Sequence, residues 1–341
     1  MNHLSIPLLN IKHVEDHHVI NRLYELVEKE PRKLRKKTCN VNGQPWTSWT
    51  MQEHIYKKQP DCYPTQARGL FTTTVDDQYR IMVRGYDKFF NIGETKITQW
   101  EDLEKETVGP YEVTAKENGC IIFIAAASPD AVVVTSKHTI PDPKDDANAH
   151  GGVGYRWLLQ HLNSVNKSES ELAQWLYQHQ LTLVAELCDD DFEQHILPYT
   201  KNERGLYLHG INYNTSKLHT LPSDTVRSVA KELGVHPIDY EVLPNLEAVK
   251  TLSDTVQKSG LYRNREVEGL VVKDGVVSTR DRPLRCHYEK TNYYVAWLQE
   301  RVKDHPEWFI EFKQNKGIID VRRRFEQFWE QGNLTLHSEE Q

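Results

Sequence analysis

The chain has 341 residues, 27% of them charged and 38% hydrophobic, with a formal net charge of −7. That length is enough to bury a core for one large domain and a smaller one, and the composition excludes a disordered chain. The acidic balance argues against a surface that is basic throughout, so any nucleic-acid contact must be local; a cleft for a triphosphate needs only a few inward-facing cations.

Along the chain, the first sixty residues read as a polar lead-in, basic and then aromatic, with EPRKLRKK at Glu30–Lys37. The basic run Arg32–Lys37 is either a contact for RNA phosphates or a solvated surface. From Arg68 to about Lys137 the pattern is β: QYRIMVRGY, PYEVTAKENG, CIIFIAAA and AVVVTSK are short, β-branched and bounded by Gly, Pro and Asp. Two helical segments follow between Arg156 and Gln180, the second opening on a capping-box spacing at Ser168–Glu171. Strands resume with LTLVAEL (Leu181–Leu187) and GLYLHGINYN (Gly205–Asn214). Helices are then predicted over Thr225–Leu233, ended by Gly234, and over Leu246–Lys258, ended by Gly260. The last strong strand is Val267–Gly275. After Lys290 the texture is helical, with Trp297, Trp308, Phe309, Phe325, Phe328 and Trp329 giving apolar faces. These elements predict an α+β domain of antiparallel strands over 1–290 and a small all-helical domain over 291–341.

The five cysteines (Cys39, Cys62, Cys120, Cys188, Cys286) are odd in number and none is spaced as C-x-x-C. Their spacing suggests neither a disulfide framework nor a zinc site and fits a reducing compartment. The start lacks the apolar core of a signal peptide, and no run approaches the roughly 20 apolar residues of a membrane span. The expectation is an intracellular protein, nuclear or cytoplasmic. The sixteen histidines are scattered and read as satisfied or exposed, and Asp189–Asp191 as an exposed turn.

The chemistry centres on Lys116-Glu-Asn-Gly119. Lys-x-x-Gly alone carries little information, since Lys231-Glu-Leu-Gly234 has the same spacing and reads as a helix with a glycine cap. The Lys116 copy follows a strand expected to end at Ala115 and precedes the apolar strand CIIFIA. A lysine in a tight turn between buried strands can be held over a pocket. Its amine, with an ordinary pKa of about 10.4, must lose its proton to attack phosphorus. Phosphoryl transfer further needs cations against the triphosphate and carboxylates for Mg²⁺. Strand ends offer such groups: Glu186, Glu268, Lys273 and Lys290. Glu268 and Lys273, five apart, fall on opposite faces of an ideal strand.

This order resembles the covalent nucleotidyltransferase superfamily of ligases and capping enzymes. In detail it resembles the ligase domain of fungal-type tRNA ligases, kin to phage RNA ligases. The likeness is carried by ARGLF (Ala67–Phe71), VRGYDKFFNIGE (Val83–Glu94), GPYEVTAKENGCIIFI (Gly109–Ile124), VTSKHT (Val134–Thr139), VAELCDDDFEQHILPY (Val184–Tyr199), GLYLHGIN (Gly205–Asn212) and EVEGLVVK (Glu266–Lys273). The resemblance implies the ATP-grasp-like nucleotidyltransferase fold of DNA and RNA ligases. It implies ATP and Mg²⁺ (or Mn²⁺), with Lys116 and Gly119 in the nucleophile motif and a phosphoramide to AMP on Lys116. Arg68 and Lys88 would meet the triphosphate, Glu186 the ribose or a metal-bound water, and Tyr207 the adenine face. Glu268 would help hold the metal, and Lys273 and Lys290 would meet the α-phosphate. The partners implied are RNA, as tRNA halves, and, unless the chain is an excised domain, a separate end-healing kinase and phosphodiesterase. Near Lys290 the family pattern Lys-x-Lys reads Tyr288-Glu-Lys290. Arg322 and Arg324, with Arg323 between them, are either a site for an RNA 2′-phosphate or a solvated basic helix face. The competing readings are a capping-type guanylyltransferase, a DNA ligase, which the FFN and CDD-FE segments disfavour, and an inactive RNA-binding relic.

Overall fold

The structure is a computed structural model. It describes residues 1–274 apart from 2, 3, 5, 8, 12, 59–61 and 142–147, the strand Leu284–His287 as backbone, and residues 323–325 and 327. The expected lead-in is instead regular structure. Helix α1 (His13–Lys29) is followed by a hairpin of β1 (Leu34–Val41) and β2 (Gln44–Met51). The hairpin turns on Asn42-Gly43, both at positive φ (53° and 84°), as a two-residue loop between right-twisted strands requires. Arg35, Lys36 and Lys37 are exposed on β1, an edge strand, where lysines discourage pairing with another chain. The short helix α2 (Glu53–Lys58) leads to β3 (Leu70–Val75) and β4 (Gln78–Arg84), completing an antiparallel sheet ordered β1-β2-β3-β4. Ile20 and Leu23 of α1 pack onto Trp49 and Ile81 of this sheet.

Next come β5 (Phe90–Asn91), α3 (Trp100–Glu106) and β6 (Tyr111–Lys116). The chain then changes sheets. Strands β7 (Cys120–Ser128) and β8 (Ala131–Thr135), helices α4 (His150–Ser164) and α5 (Glu169–His179), β9 (Leu181–Cys188), β10 (Gly205–Tyr213), α6 (Ser223–Leu233) and β11 (His236–Pro237) form the central layer. Its sheet runs β11-β10-β9-β7-β8, with α4, α5 and α6 over one face and the first sheet on the other. The capping box forms as the spacing required: Ser168 Oγ accepts from Glu171 N at 3.2 Å, and Ser168 N donates to Glu171 Oε2 at 2.8 Å.

The remaining elements are β12 (Tyr240–Leu243), α7 (Leu246–Ser259), β13 (Leu261–Tyr262), β14 (Arg265–Glu266), β15 (Gly269–Lys273) and β16 (Leu284–His287). A third sheet runs β12-β6-β15-β16-β5, with α7 against its buried face. Gly234 and Gly260 cap α6 and α7 in the left-handed region (φ 69° and 71°), where each sequence-based boundary stood. The α+β architecture with antiparallel sheets is therefore the expected one. The helical domain over 291–341 lies outside the described residues, apart from the helical positions 323–325 and 327. Among the described residues no helix is long and apolar enough to cross a membrane.

Candidate active site

Lys116 is the last residue of β6, one position later than the strand end expected from sequence, and Cys120 begins β7 in a different sheet. Residues Glu117–Gly119 are thus the crossover between two sheets, and the lysine stands where the sheets diverge. The crossover is held from several sides. Glu117, 3% exposed, receives a two-pronged contact from Arg265 (one bond at 3.1 Å) and accepts from Tyr199 Oη at 3.0 Å. Asn118 N donates to the same Tyr199 Oη at 2.8 Å, and Asn118 Oδ1 accepts from Leu197 N at 2.8 Å. Gly119 allows β7 to enter against β9: a Cβ there would lie 2.2 Å from the Leu187 carbonyl oxygen, which no ordinary contact permits.

A cavity of about 440 Å³ opens beside this crossover, within the range of small-ligand sites. It brings together six residues singled out from sequence: Arg68, Lys116, Gly119, Glu186, Glu268 and Lys273. The Lys116 amine is ion-paired with the Glu268 carboxylate, which also accepts from Asn118 Nδ2 at 2.8 Å. Glu268 and Lys273 share this cavity despite their odd separation. Val271 and Lys273 face it from β15, whereas Glu268 precedes the first ladder residue, Gly269, and escapes the strand's alternation.

Two of the expected contacts do not line this cavity. Tyr207, expected to stack on adenine, is outside the cavity wall. Its ring is already stacked on His236 (centroids 4.6 Å apart, 24° between planes), and its hydroxyl donates to Glu203 O at 2.6 Å. Aromatic walls come instead from Tyr86, Phe89 and Phe123. Lys88 is also not in the wall; its amine lies 3.6 Å from Glu53, the carboxylate that Arg68 and Lys137 also contact. Lys290 and Arg322 lie outside the described residues, and Arg324 is an exposed helical position.

Several groups escaped the sequence reading. Glu53, at the start of α2, contacts Arg68, Lys137 and Lys88 together. Burial pushes its carboxyl up, but the hydrogen bond from Lys137 and the charges of Arg68, Lys137 and Lys88 prevail and hold it down at about 2. His209 reaches the cavity because β10 bulges between Leu208 and Gly210, which turns an extra side chain inward. Its Nε2 is buried without a hydrogen-bond partner, 3.6 Å from Glu186 Oε2. Arg84, fully buried, donates to Thr215 O at 3.1 Å, Gly85 O at 2.6 Å and Asp87 Oδ1 at 2.7 Å, and so fixes the turn that carries Tyr86 and Phe89.

The arrangement sets the Lys116 amine among groups that can hold an anion. Arg68, Lys137 and Lys273 supply positive charge, and Glu186 and Glu268 supply the oxygen donors a hard divalent cation takes. The unpartnered His209 Nε2 and the unpartnered buried Arg68 Nε are polar atoms that a ligand could engage.

A family model described as RNA ligase matches residues 66–316. The chain is 42% identical over 331 residues to tRNA ligase 1 of Schizosaccharomyces pombe (strain 972), covering 82% of this chain and 42% of that protein. It is 43% identical over 242 residues to a tRNA ligase of Candida albicans (strain SC5314), covering 66% of this chain and 29% of that protein. The chain therefore spans less than half the length of these curated relatives. Two solved structures titled as forms 1 and 2 of an archaeal ATP-dependent RNA ligase share the fold. Form 1 has a TM-score of 0.54 at 17% identity, covering 87% of this chain and 72% of that one. Form 2 has 0.50 at 15%, covering 89% and 76%.

Proposed function

Since the chain belongs to the RNA ligase family, we propose that it joins RNA ends with ATP through AMP held covalently on Lys116. The observation that carries this reading is the Lys116 amine at the sheet crossover, paired with Glu268 inside a cavity that Arg68, Lys137 and Lys273 make cationic. In the first step Lys116 Nζ, having lost its proton, forms a bond to the α-phosphorus as the bond to pyrophosphate breaks. Arg68 and Lys137 take the β- and γ-phosphates in exchange for Glu53, and Lys273 lies toward the α-phosphate. In the second step an oxygen of an RNA 5′-phosphate displaces Lys116 and carries AMP away. In the third a 3′-hydroxyl attacks that activated phosphorus and AMP leaves.

Glu186 and Glu268 fit Mg²⁺ or Mn²⁺ as oxygen donors; such a cation neutralises phosphate charge when bound. The likeness to the tRNA ligases supports tRNA halves as substrates, with ends prepared by a kinase and a phosphodiesterase, and an intracellular setting. Incubation with labelled ATP or GTP tests the reading. The expected result is a covalent AMP adduct from ATP alone, absent in Lys116→Ala, followed by sealing of 5′-phosphate and 3′-hydroxyl RNA ends. A GMP adduct would instead indicate a guanylyltransferase, and no adduct an inactive RNA binder. Paired RNAs that differ only in a 2′-phosphate at the joining end then test whether that group is required.

A further inference from the structure

The basic run of β1 does not act as one surface. Lys33 is paired with Glu30 at 2.5 Å, and Lys36 is taken up by α1, 3.5 Å from Glu28 and with its amine 4.7 Å over the Tyr24 ring. Arg35 and Lys37 are exposed, and among the described residues neither has an ion pair. Side chains two apart share a face of a strand, and partners across an antiparallel ladder share it too. Arg35 pairs with Thr50 and Lys37 with Ser48, whereas Lys36 pairs with Trp49, which packs on α1. Arg35 and Lys37 therefore stand on the face away from α1. Ser48 identifies what that face borders: its hydroxyl donates to His138 O at 2.8 Å, next to Lys137 of the cavity wall. At the end of the ladder Gln52 N donates to Lys33 O at 3.0 Å, one residue before Glu53. The unpaired cations of β1 thus lie on the sheet face that borders the cluster of Arg68, Lys137 and Glu53.

The chemistry of RNA joining says what passes there. In a displacement at phosphorus the entering and leaving atoms are roughly in line. Pyrophosphate therefore departs from the side of the α-phosphorus opposite Lys116 Nζ. In the next step Lys116 Nζ is itself the leaving atom. The P–N bond breaks, its electron pair returns to the amine, and an oxygen of the RNA 5′-phosphate bonds to phosphorus from the opposite side. The RNA end thus enters on the side that pyrophosphate vacated, where Arg68 and Lys137 lie, and the nucleotides behind it must run out over the surface beyond. Resting on the RNA-joining reading, we propose that Arg35 and Lys37 hold backbone phosphates of the RNA strand whose 5′ end receives AMP. Contacts of this kind position a strand and carry no base preference. Guarding a sheet edge would be served by charge on either face, but the two cations of β1 without partners both lie on the face toward the cavity.

The test sets Arg35→Gln and Lys37→Gln, made together, against Lys36→Gln, which removes charge from the same strand on the α1 face. A 5′-phosphorylated single-stranded RNA oligonucleotide is titrated by fluorescence at several salt concentrations. The double variant should bind it about 2–30-fold more weakly, the scale of two exposed ion pairs. Its salt slope should be smaller by about 1.4, the loss of two contacts to a single strand. Lys36→Gln should bind as the parent chain does. AMP adduct formation from ATP should be the same in all three proteins. AMP transfer from the preformed adduct should need more of the oligonucleotide in the double variant, but no more of a nucleoside 3′,5′-bisphosphate, which is too short to reach β1. An unchanged salt slope in the double variant, or an equal loss in Lys36→Gln, would overturn the assignment and leave these cations as guards of the sheet edge. A parent chain that forms no adduct would count against RNA joining instead, and the binding titration decides the β1 contacts in either case.

Discussion

Glu268 stands one residue before β15, yet its carboxylate reaches the Lys116 amine on the neighbouring strand, and its backbone N–H donates to Lys116 O at 2.9 Å. The amine and the acid are therefore held together by main chain as well as by charge. Attack needs an uncharged amine, so this pair must open before reaction, and a divalent cation drawn to Glu268 is a direct way to open it. Glu268→Gln keeps the shape but removes the charge. We expect the rate of AMP adduct formation to fall about 100-fold or more, the scale of losing one charge-stabilising group, with little change in melting temperature. Single-turnover labelling checks this, and an unchanged rate would remove Glu268 from the reaction.

Glu53 occupies the position between Arg68, Lys137 and Lys88 that phosphate oxygens would take, and so competes with any anion there. Removing its charge in Glu53→Gln should tighten binding of pyrophosphate and ATP, by up to about 5-fold if an exposed counter-ion contributes about 1 kcal/mol or less. Calorimetric titration of pyrophosphate into the two proteins gives the answer. Weaker binding by the variant would mean that Glu53 serves the ligand instead of standing in for it.

The aromatic wall of the cavity separates two candidates for the base. Phe89 lines the space and Tyr207 does not, being stacked on His236. Phe89→Ala should raise the ATP concentration needed for half-maximal adduct formation, by about 10-fold for loss of one stacking surface. Tyr207→Ala should leave that concentration unchanged. The reverse result would return the adenine to Tyr207.

These contrasts mark what a sequence can carry. The helix ends at Gly234 and Gly260 and the capping box at Ser168–Glu171 were legible because each is settled within a few residues. So was the difference between Lys116 and Lys231, which share a spacing but not a setting between apolar strands. The hairpin at Asn42-Gly43 had a readable turn, but β1 is a charged edge strand without the apolar alternation that announces one. What stayed hidden depends on distant pairing. Glu53 meets Lys137 across 84 residues, His209 enters through a bulge, and Glu268 escapes its strand's parity.

The buried histidine of α4 gives a pH signature. His161 Nδ1–H donates to Gly234 O at 2.8 Å, and Nε2 accepts from Leu206 N at 3.1 Å, so the neutral ring fills both roles. Burial, then the neighbouring His236, lowers its pKa from 6.5 to about 4. Between those values the unfolded chain binds a proton that the folded chain refuses, so this group's contribution to stability falls as pH drops through the window. Histidine-resolved NMR should find the His161 ring neutral and Nδ1-protonated down to about pH 4. Titration near pH 6.5 would contradict the buried hydrogen-bonded geometry.

Arg265 offers the sharpest separation of support from chemistry. It does not itself line the cavity, yet it neutralises Glu117, the buried wall acid next to Lys116, and is itself tied to Asp239 at 3.0 Å. Arg265→Ala would leave Glu117 buried against Tyr199 without its cation. Breaking a buried pair costs about 3–5 kcal/mol, and since Arg265 keeps a third of its side chain in solvent, a loss of roughly 3 kcal/mol or less is expected. The crossover should shift with it, slowing adduct formation at saturating ATP while the affinity for ATP changes little. Arg265→Ala with Glu117→Gln, which removes the stranded charge while keeping an acceptor for Tyr199, should recover most of the stability. If the double variant is no more stable than the single one, the pair does not hold the lysine crossover in place.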